Sequence, residues 1–536
     1  MRVARYLTGL VTLLWASAAA AIPPNIILVL VDDLPTKVIS AYDGDGLGAT
    51  SGWSTPNLDA IAAAGVKFTN AVYMSAQCTP SRVQVYTGLP PWKSQVYEND
   101  DRFDDSIATI MDSMGPGGPG AIDYDTEVIG KWQVLNQVGS LSAASLGWTY
   151  TDICVQAECT GDYTDAEFQQ SATCPADGDP TVCEGNVTDV ITAKGIDRLN
   201  ARVAGTPKFL TLSYKATHAA WVASATELGD LDATTVPEPA TFNDHRRGRA
   251  AHVWDWGNSM LDLFTQWTTP PFSTTYGKPQ PGAGVDTDAE RRSFVYLEAG
   301  RDTLETAATL DRNFGELMTY LTTEHLDPGE LNDGVGTDTL IESTVIIFMS
   351  DNSNLHGEHD MYSKYRFYDE ATNMSLLMRG PAATGIIPGS TRTQFISSLD
   401  VAPTILNFAG IATPANMEGR SLHDLYPASP TGAAWKTGAY VMIGQRPESE
   451  PEHRHEGYVT ATHKLIHHFT ESGSTMPEWE LIDRVGDPNE LVNIYPTANA
   501  STILSLKAAM QAERVDLGLP SFLDMATASS AGGLMP

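Results

Sequence analysis

The sequence predicts an α/β fold, with a parallel sheet at its centre and a smaller antiparallel α+β subdomain towards its C-terminal end. Three observations lead there. Short runs of β-branched and other apolar residues each stop abruptly at polar ones, as strands buried on both faces do. Helical spacings lie between those runs, and strands alternating with helices build a parallel sheet. After about residue 435 the pattern changes to short strands separated by turns.

Taken in order, residues 1–21 read as a secretory signal. Arg2 and Arg5 give a positive start, 7–15 an apolar stretch and 16–20 a small-residue cleavage region. That stretch falls short of the ~20 residues of a bilayer span, so a cleaved signal is expected rather than an anchor. With no later apolar span, the mature chain is expected off the membrane, secreted or in the secretory pathway (extracellular or lysosome-like). A first strand at 25–31 runs into Asp32 and Asp33. A second at 126–129 runs into Gly130 and Lys131, and a third at 209–213 leads to Lys215 and His218. A fourth at 344–349 runs into Ser350, Asp351 and Asn352. Leu310, Phe314, Leu317 and Leu321 lie at helical spacing. In open α/β sheets ligands collect at the carboxyl ends of strands, and here those ends carry carboxylates, an Asn, two Lys and a His. Beyond 435, strands are expected at 440–443, 456–460, 464–467 and 478–482, and a helix near 501–514. The expected division is a signal at 1–21, a catalytic domain at 22–435, a subdomain at 436–520 and a flexible tail at 521–536.

The chain has 536 residues and 33 Lys and Arg against 66 Asp and Glu, a formal charge of −33. With 42% hydrophobic residues it can bury a large core. The carboxylate excess and the lack of a basic stripe argue against nucleic-acid binding. An anionic small substrate is not excluded, since a local cluster of cations can override the global field.

Of the five cysteines, Cys154, Cys159, Cys174 and Cys183 crowd into a polar stretch. Two disulfides stapling a surface insertion at about 150–190 are expected, with three connectivities open; zinc binding is the alternative, with irregular spacings against it. Cys78 is left alone. Sequons stand at Asn186, Asn373 and Asn499, each a short and common pattern.

Asp32, Asp33, Asp351 and Asn352 offer hard oxygen donors, suited to Ca²⁺ or Mg²⁺ rather than zinc. Any one such pair reads equally as a strand-end turn; two pairs ending two buried strands read as a metal centre. Cys78 falls in a Cys-x-Pro-Ser-Arg pentapeptide with Pro80, Ser81 and Arg82, followed by Thr87 and Gly88. A match of four fixed residues arises by chance only on the order of a few times in a thousand chains of this length. On this signature the chain resembles the type I, formylglycine-dependent sulfatases of the alkaline phosphatase-like superfamily. Further segments agree: Thr55-Pro-Asn-Leu-Asp59, Gly65 to Thr69, Gly130-Lys-Trp132, Ser350 to Asn352, Gly357-Glu-His359, Lys364 and the turn from Asp483 to Asn493. The resemblance runs from about 24 to about 515 and implies a large mixed, mostly parallel sheet.

It also implies a chemistry. Cys78 is the residue that a dedicated maturation enzyme oxidises to Cα-formylglycine (3-oxoalanine), whose hydrate is the nucleophile. One Ca²⁺ is held by Asp32, Asp33, Asp351, Asn352 and residue 78. Arg82 fixes the hydrate, Lys131 and Lys364 neutralise the sulfate oxygens, and His218 serves as general acid to the leaving oxygen. The family usually carries His two residues after the first Lys, where this chain has Gln133, which hydrogen-bonds but takes no proton near neutral pH. His218 lacks the common His-x-Pro context, and Ser353 replaces a usual Gly.

The leading expectation is therefore a secreted hydrolase of sulfate monoesters, its substrate a sulfated small molecule or glycan, carbohydrate or aryl. The alternatives are a phosphonate or phosphate ester hydrolase using the same aldehyde, and a non-catalytic binder of sulfated glycans. Trp221, Trp254, Trp256 and Trp267, with Arg246, Arg247 and Arg249, read either as a sugar-stacking rim or as core.

Overall fold

The computed structural model describes residues 22–42, 46–120, 123–136, 146–154, 163–168, 183–246, 249, 258–326, 338–426, 434–443, 455–468 and 479–519. Eight strands form one sheet: β1 (Asn25–Val31), β2 (Val66–Phe68), β3 (Asp125–Gly130), β4 (Tyr150–Ile153), β5 (Lys208–Tyr214), β6 (Thr344–Ser350), β7 (Leu376–Arg379) and β8 (Ser390–Arg392). Their order is β8-β2-β7-β6-β1-β5-β3-β4. β7 pairs antiparallel with both neighbours and every other pairing is parallel, so the sheet is mixed and mostly parallel as expected.

The four longest strands are those whose apolar runs announced them. β1 shows why they lack a polar face. Ile27, Val29 and Val31 enter one core cluster, Ile26, Leu28 and Leu30 the other, and all six are 0% exposed. Each such side chain contributes roughly 1.5–3 kcal/mol on burial. Helices α1 (Pro56–Ala64), α3 (Val187–Asn200) and α4 (Asp288–Thr323) cover the first face. Helices α2 (Cys78–Thr87) and α5 (Val401–Phe408) cover the second. The spacing at 310–321 belongs to the 36-residue α4, opened by a capping box of Thr287 and Glu290.

The remaining strands of the sheet, β2, β4, β7 and β8, are three or four residues long, too short to display a period. β4 opens the segment expected to be a surface insertion, and its polar sequence follows from its place at the sheet edge. The segment is not purely superficial: Cys154, Tyr163, Phe168 and Cys183 are buried in the first core cluster. Cys154 and Cys183 are not free thiols; Cys159 and Cys174 lie outside the described residues.

Four antiparallel strands follow, β9 (Gly438–Ile443), β10 (His455–Thr460), β11 (His463–His468) and β12 (Trp479–Asp483), each paired with the next. Helix α6 (Ala500–Asp516) packs on them, Leu506 and Met510 sharing a cluster with Tyr440, Leu465 and Leu481. No described helix is long and apolar enough to cross a membrane. The expected signal and tail lie outside the described residues.

Candidate active site

Register places the polar strand ends side by side. Val31 of β1 pairs with Tyr214 of β5 and Ser350 of β6, while Gly130 of β3 pairs with Ser213. Asp32 and Asp33, Lys131, the turn carrying His218, and Asp351 and Asn352 therefore leave the sheet at one edge. Two local features set the exits. Gly130 sits at φ 102°, and a Cβ there would lie 2.2 Å from the Ser213 carbonyl oxygen, so only glycine brings the Lys131 N–H onto that oxygen at 2.8 Å. Asp33 turns at φ 57°, a left-handed conformation that Asp tolerates better than most residues.

Helix α2 supplies the facing wall. Cys78 is its first residue and Arg82 lies one turn on, on the same face. The thiol sits 3.5 Å from Asp32 Oδ1, 3.9 Å from Asn352 Oδ1 and 2.8 Å from Lys364 Nζ. Lys364 also donates to Asp33 Oδ1 at 2.5 Å, and Lys131 forms an ion pair with Asp32. The Arg82 guanidinium reaches Asp351 Oδ2 through Nε at 2.9 Å and Nη2 at 2.8 Å. Its Nη1 donates to the Lys131 carbonyl at 2.8 Å and to Ser213 Oγ at 2.7 Å. His218 Nδ1 lies 2.6 Å from the Ala219 carbonyl, so that nitrogen carries the proton of a neutral ring. Nε2 then faces Asp33 Oδ2 at 3.7 Å.

Asp32, Asp33, Cys78 and Asp351 can each direct one ligand atom into a space where all four lie within 4.8 Å of one another. Carboxylate oxygens with an adjacent amide oxygen and no imidazole suit a hard divalent cation such as calcium. The charges explain how three carboxylates share this space. Burial would raise Asp32, but Lys131, His218, Arg82 and Lys364 outweigh it and hold that carboxyl well below the usual range. Burial, with the like charge of Asp32, keeps Asp33 and Asp351 above theirs. Burial also pushes the Cys78 thiol up, against the pull of Lys131 and Lys364. It lowers His218 to about 4, Asp32 opposing and Lys131, Lys364 and Lys215 reinforcing the shift.

All nine residues singled out in the sequence thus meet at one place. Sequence reasoning missed Ser213, whose hydroxyl donates to the Lys131 carbonyl at 2.5 Å while accepting from Arg82. It ends an apolar run, which gave the one available hint. Other histidines and the tryptophans fall elsewhere. His356 packs on Trp221 with ring centroids 5.3 Å apart, and His359 stacks on Tyr368 beside Asp244 and Arg249. His455 lies against His468 across the C-terminal sheet. Trp221 and Trp267 are core, 2% and 0% exposed, which removes them from any sugar-stacking rim; Trp254, Trp256, Arg247 and His453 lie outside the described residues.

The cluster at this sheet edge suits an ester hydrolase, and the comparisons give its class. A sequence model of the sulfatase family matches residues 24–327, and one described as "N-sulphoglucosamine sulphohydrolase, C-terminal" matches 357–516. The chain belongs to the sulfatase family and is a sulfuric ester hydrolase. It is 30% identical over 507 residues to the N-acetylglucosamine-6-O-sulfatase of Bacteroides thetaiotaomicron, covering 89% of this chain and 83% of that one. To human N-acetylglucosamine-6-sulfatase it is 26% identical, over 79% and 68% of the two chains. A solved structure in complex with its substrate D-glucosamine-2-N,6-O-disulfate superposes at TM-score 0.76 and 28% identity, covering 92% of this chain and 98% of that one. The phosphonate monoester hydrolase of Agrobacterium radiobacter shares the fold, at TM-score 0.60 and 20% identity over 91% and 96% of the chains.

Proposed function

We propose that this chain is a secreted, calcium-dependent sulfatase that removes a 6-O-sulfate from a glucosamine-type sugar of a sulfated glycan. The convergence of Cys78, Arg82, Lys131, Lys364 and His218 on the Asp32, Asp33, Asp351 and Asn352 cluster carries this reading. The relatives that cleave the 6-sulfate of N-acetylglucosamine support the choice of sugar and position.

In this reading Asp32, Asp33, Asp351, Asn352 and residue 78 hold one Ca²⁺, and Cys78 is matured to formylglycine. The cation then supplies charge neutralisation for the sulfate oxygens and the aldehyde hydrate a nucleophile that a thiol cannot. The chain's own residues do the remainder. Lys131 and Lys364 present two ammonium groups beside residue 78, where negative charge gathers as the S–O bond to the sugar breaks. Arg82 fixes Asp351 and the first turn of α2 in one orientation. With its Nδ1–H held by the Ala219 carbonyl, His218 would take up a second proton at Nε2 from solvent and pass it to the departing alkoxide, returning to the neutral ring.

The proposal extends to processing. The signal at 1–21 would send the chain to the secretory route and be cleaved there, where two disulfides would staple 150–190 and exposed Asn499 would be open to glycosylation. At 1% exposure Cys78 is beyond reach in the folded chain, so the maturation enzyme would act before the sheet closes. Residues 22–435 would form the catalytic domain, 436–520 its subdomain and 521–536 a tail.

The test is sulfate release from N-acetylglucosamine-6-O-sulfate and 4-nitrophenyl sulfate, with a phenylphosphonate monoester as control. Mass spectrometry of the residue-78 peptide runs on the same sample, a loss of about 18 Da marking conversion of CH₂SH to CHO. Sugar sulfate turnover by matured protein supports the proposal. Preference for the phosphonate, or an unmodified thiol in protein from its native host, sinks it in favour of the hydrolase or glycan-binding alternative.

A further inference from the structure

The turn that carries His218 has no helix or strand of its own after Tyr214 and is held by few main-chain bonds, His218 N–H to the Lys215 carbonyl at 2.9 Å and Trp221 N–H to the His218 carbonyl at 3.2 Å among them. Three side chains from outside the turn add to these. The Tyr163 hydroxyl donates to the His218 carbonyl and lies 3.4 Å from that of Lys215. Lys278 Nζ donates to the Trp221 carbonyl at 2.7 Å, itself steadied by Asp302 at 2.8 Å. Asn186 Nδ2 donates to the Val222 carbonyl at 3.0 Å. On its other side the turn is tied to the metal-ligand pair, Thr217 N–H to the Asp32 carbonyl at 2.7 Å and Thr217 Oγ1 to the Asp33 carbonyl at 3.1 Å.

Of the three donors, Tyr163 alone acts on His218 itself. It is 2% exposed, with the Lys215 ammonium 5.3 Å over its ring. Its backbone is locked, its carbonyl accepting from Val187 N–H at 2.7 Å while Asp165 N–H donates to Gly185 at 2.9 Å and Cys183 N–H to Ala166 at 3.0 Å. Burial holds its phenol well above the usual range, with Asp32 and Asp33 adding to the effect, so the hydroxyl stays a donor. We propose that Tyr163, presented by the 150–190 segment, is a positioning residue that holds the His218 imidazole where it protonates the departing sugar oxygen. The proposal rests on the reading of His218 as general acid given above. It gives the cysteine-rich segment a catalytic purpose: its fixed end adds a rigid second donor to the carbonyl that the turn holds through Trp221 N–H, and small displacements of a proton donor cost large factors in rate.

The experiment compares Tyr163→Phe, His218→Ala and Tyr124→Phe. Tyr124 is a control because its hydroxyl also donates from a buried ring to a carbonyl, that of Pro24 at 2.8 Å, and has no contact with the turn. The kcat and KM of each are read on N-acetylglucosamine-6-O-sulfate, whose alkoxide needs a proton, and on 4-nitrophenyl sulfate, whose phenolate does not. His218→Ala is expected to lose about 100-fold in kcat on the sugar ester and far less on the aryl ester. Tyr163→Phe is expected to reproduce that split at about tenfold with KM unchanged, and Tyr124→Phe to show none. Independently of activity, hydrogen exchange in a 215–222 peptide should quicken in Tyr163→Phe and not in Tyr124→Phe. Equal losses on both esters, no loss on the sugar ester, or unchanged exchange would overturn the proposal. A His218→Ala variant without the split overturns it too, while wild-type turnover leaves the sulfatase reading standing.

Discussion

Replacing Arg82 tests the electrostatic account of the site most directly. The guanidinium is 0% exposed and makes three hydrogen bonds, one each to Asp351 Oδ2, the Lys131 carbonyl and Ser213 Oγ, with Nη2 also ion-paired to Asp351 Oδ2 at 2.8 Å. Arg82→Met fills the volume but leaves Asp351 buried beside Asp32 with its nearest cation gone. Breaking a buried pair in this way costs about 3–5 kcal/mol. Arg82→Lys keeps the charge but lacks the planar fork; with two charge-assisted hydrogen bonds forfeited at about 1.5 kcal/mol each, a loss of about 3 kcal/mol is expected, at the low end of the range for Arg82→Met. Denaturant unfolding followed by tryptophan fluorescence at fixed calcium should rank wild type above Arg82→Lys and Arg82→Met last. Both variants should also lose at least about 100-fold in kcat/KM, because Lys131 and residue 78 are aligned through the same side chain. The reasoning fails if Arg82→Met lies within about 1 kcal/mol of wild type, or if the two variants are equally unstable.

Three further outcomes are expected. Chelating calcium should lower the unfolding midpoint and abolish turnover, with calcium and not zinc restoring both; a midpoint indifferent to the chelator speaks against the donor set. Gln133→His, restoring the imidazole usual in this family, should raise kcat up to about tenfold, and an unchanged rate would show that another group already moves that proton. His356, 3% exposed, is lowered to about 3 by burial and then by Lys37, against a usual value of 6.5. A folded-state value below the unfolded one means the unfolded chain binds the proton first, so stability is full above about pH 6.5 and falls as pH drops towards 3, by up to about 1.4 kcal/mol per unit. His356→Gln should flatten the stability curve over that window, and an identical slope would refute the assignment.

The sheet was legible where burial left a signature. β1, β5 and β6 are seven-residue strands hidden on both faces, so their sequences are nearly unbroken apolar runs. β2, β7 and β8 are equally integral but only three or four residues long, and nothing in Val-Lys-Phe or Ser-Thr-Arg tells a strand from a turn. The tryptophans stayed open between rim and core for a related reason. Trp221, in an irregular turn, and Trp267, at the end of a helix over Met260–Trp267, fold inward with centroids 6.5 Å apart, a contact between distant positions that no local pattern displays.

The site was legible to the extent that its groups are covalently attached to strand ends or to the Cys78 pentapeptide, since attachment fixes position through register. The Tyr163 contact is different: it joins positions 55 residues apart through a main-chain carbonyl, which every residue has, so no side-chain pattern at His218 betrays it. The charge balance was equally hidden. In a chain with twice as many acidic as basic residues, the ligand cluster sets three cations, Arg82, Lys131 and Lys364, against three carboxylates. That balance makes the bare cluster close to neutral, with little hold on an anionic ester. A divalent cation held by those carboxylates would turn the centre positive. Calcium removal should therefore weaken binding of inorganic sulfate, the product, as well as stop turnover; sulfate bound equally tightly with and without calcium, by calorimetry, would show that the lysines suffice and that the ion serves only the chemistry.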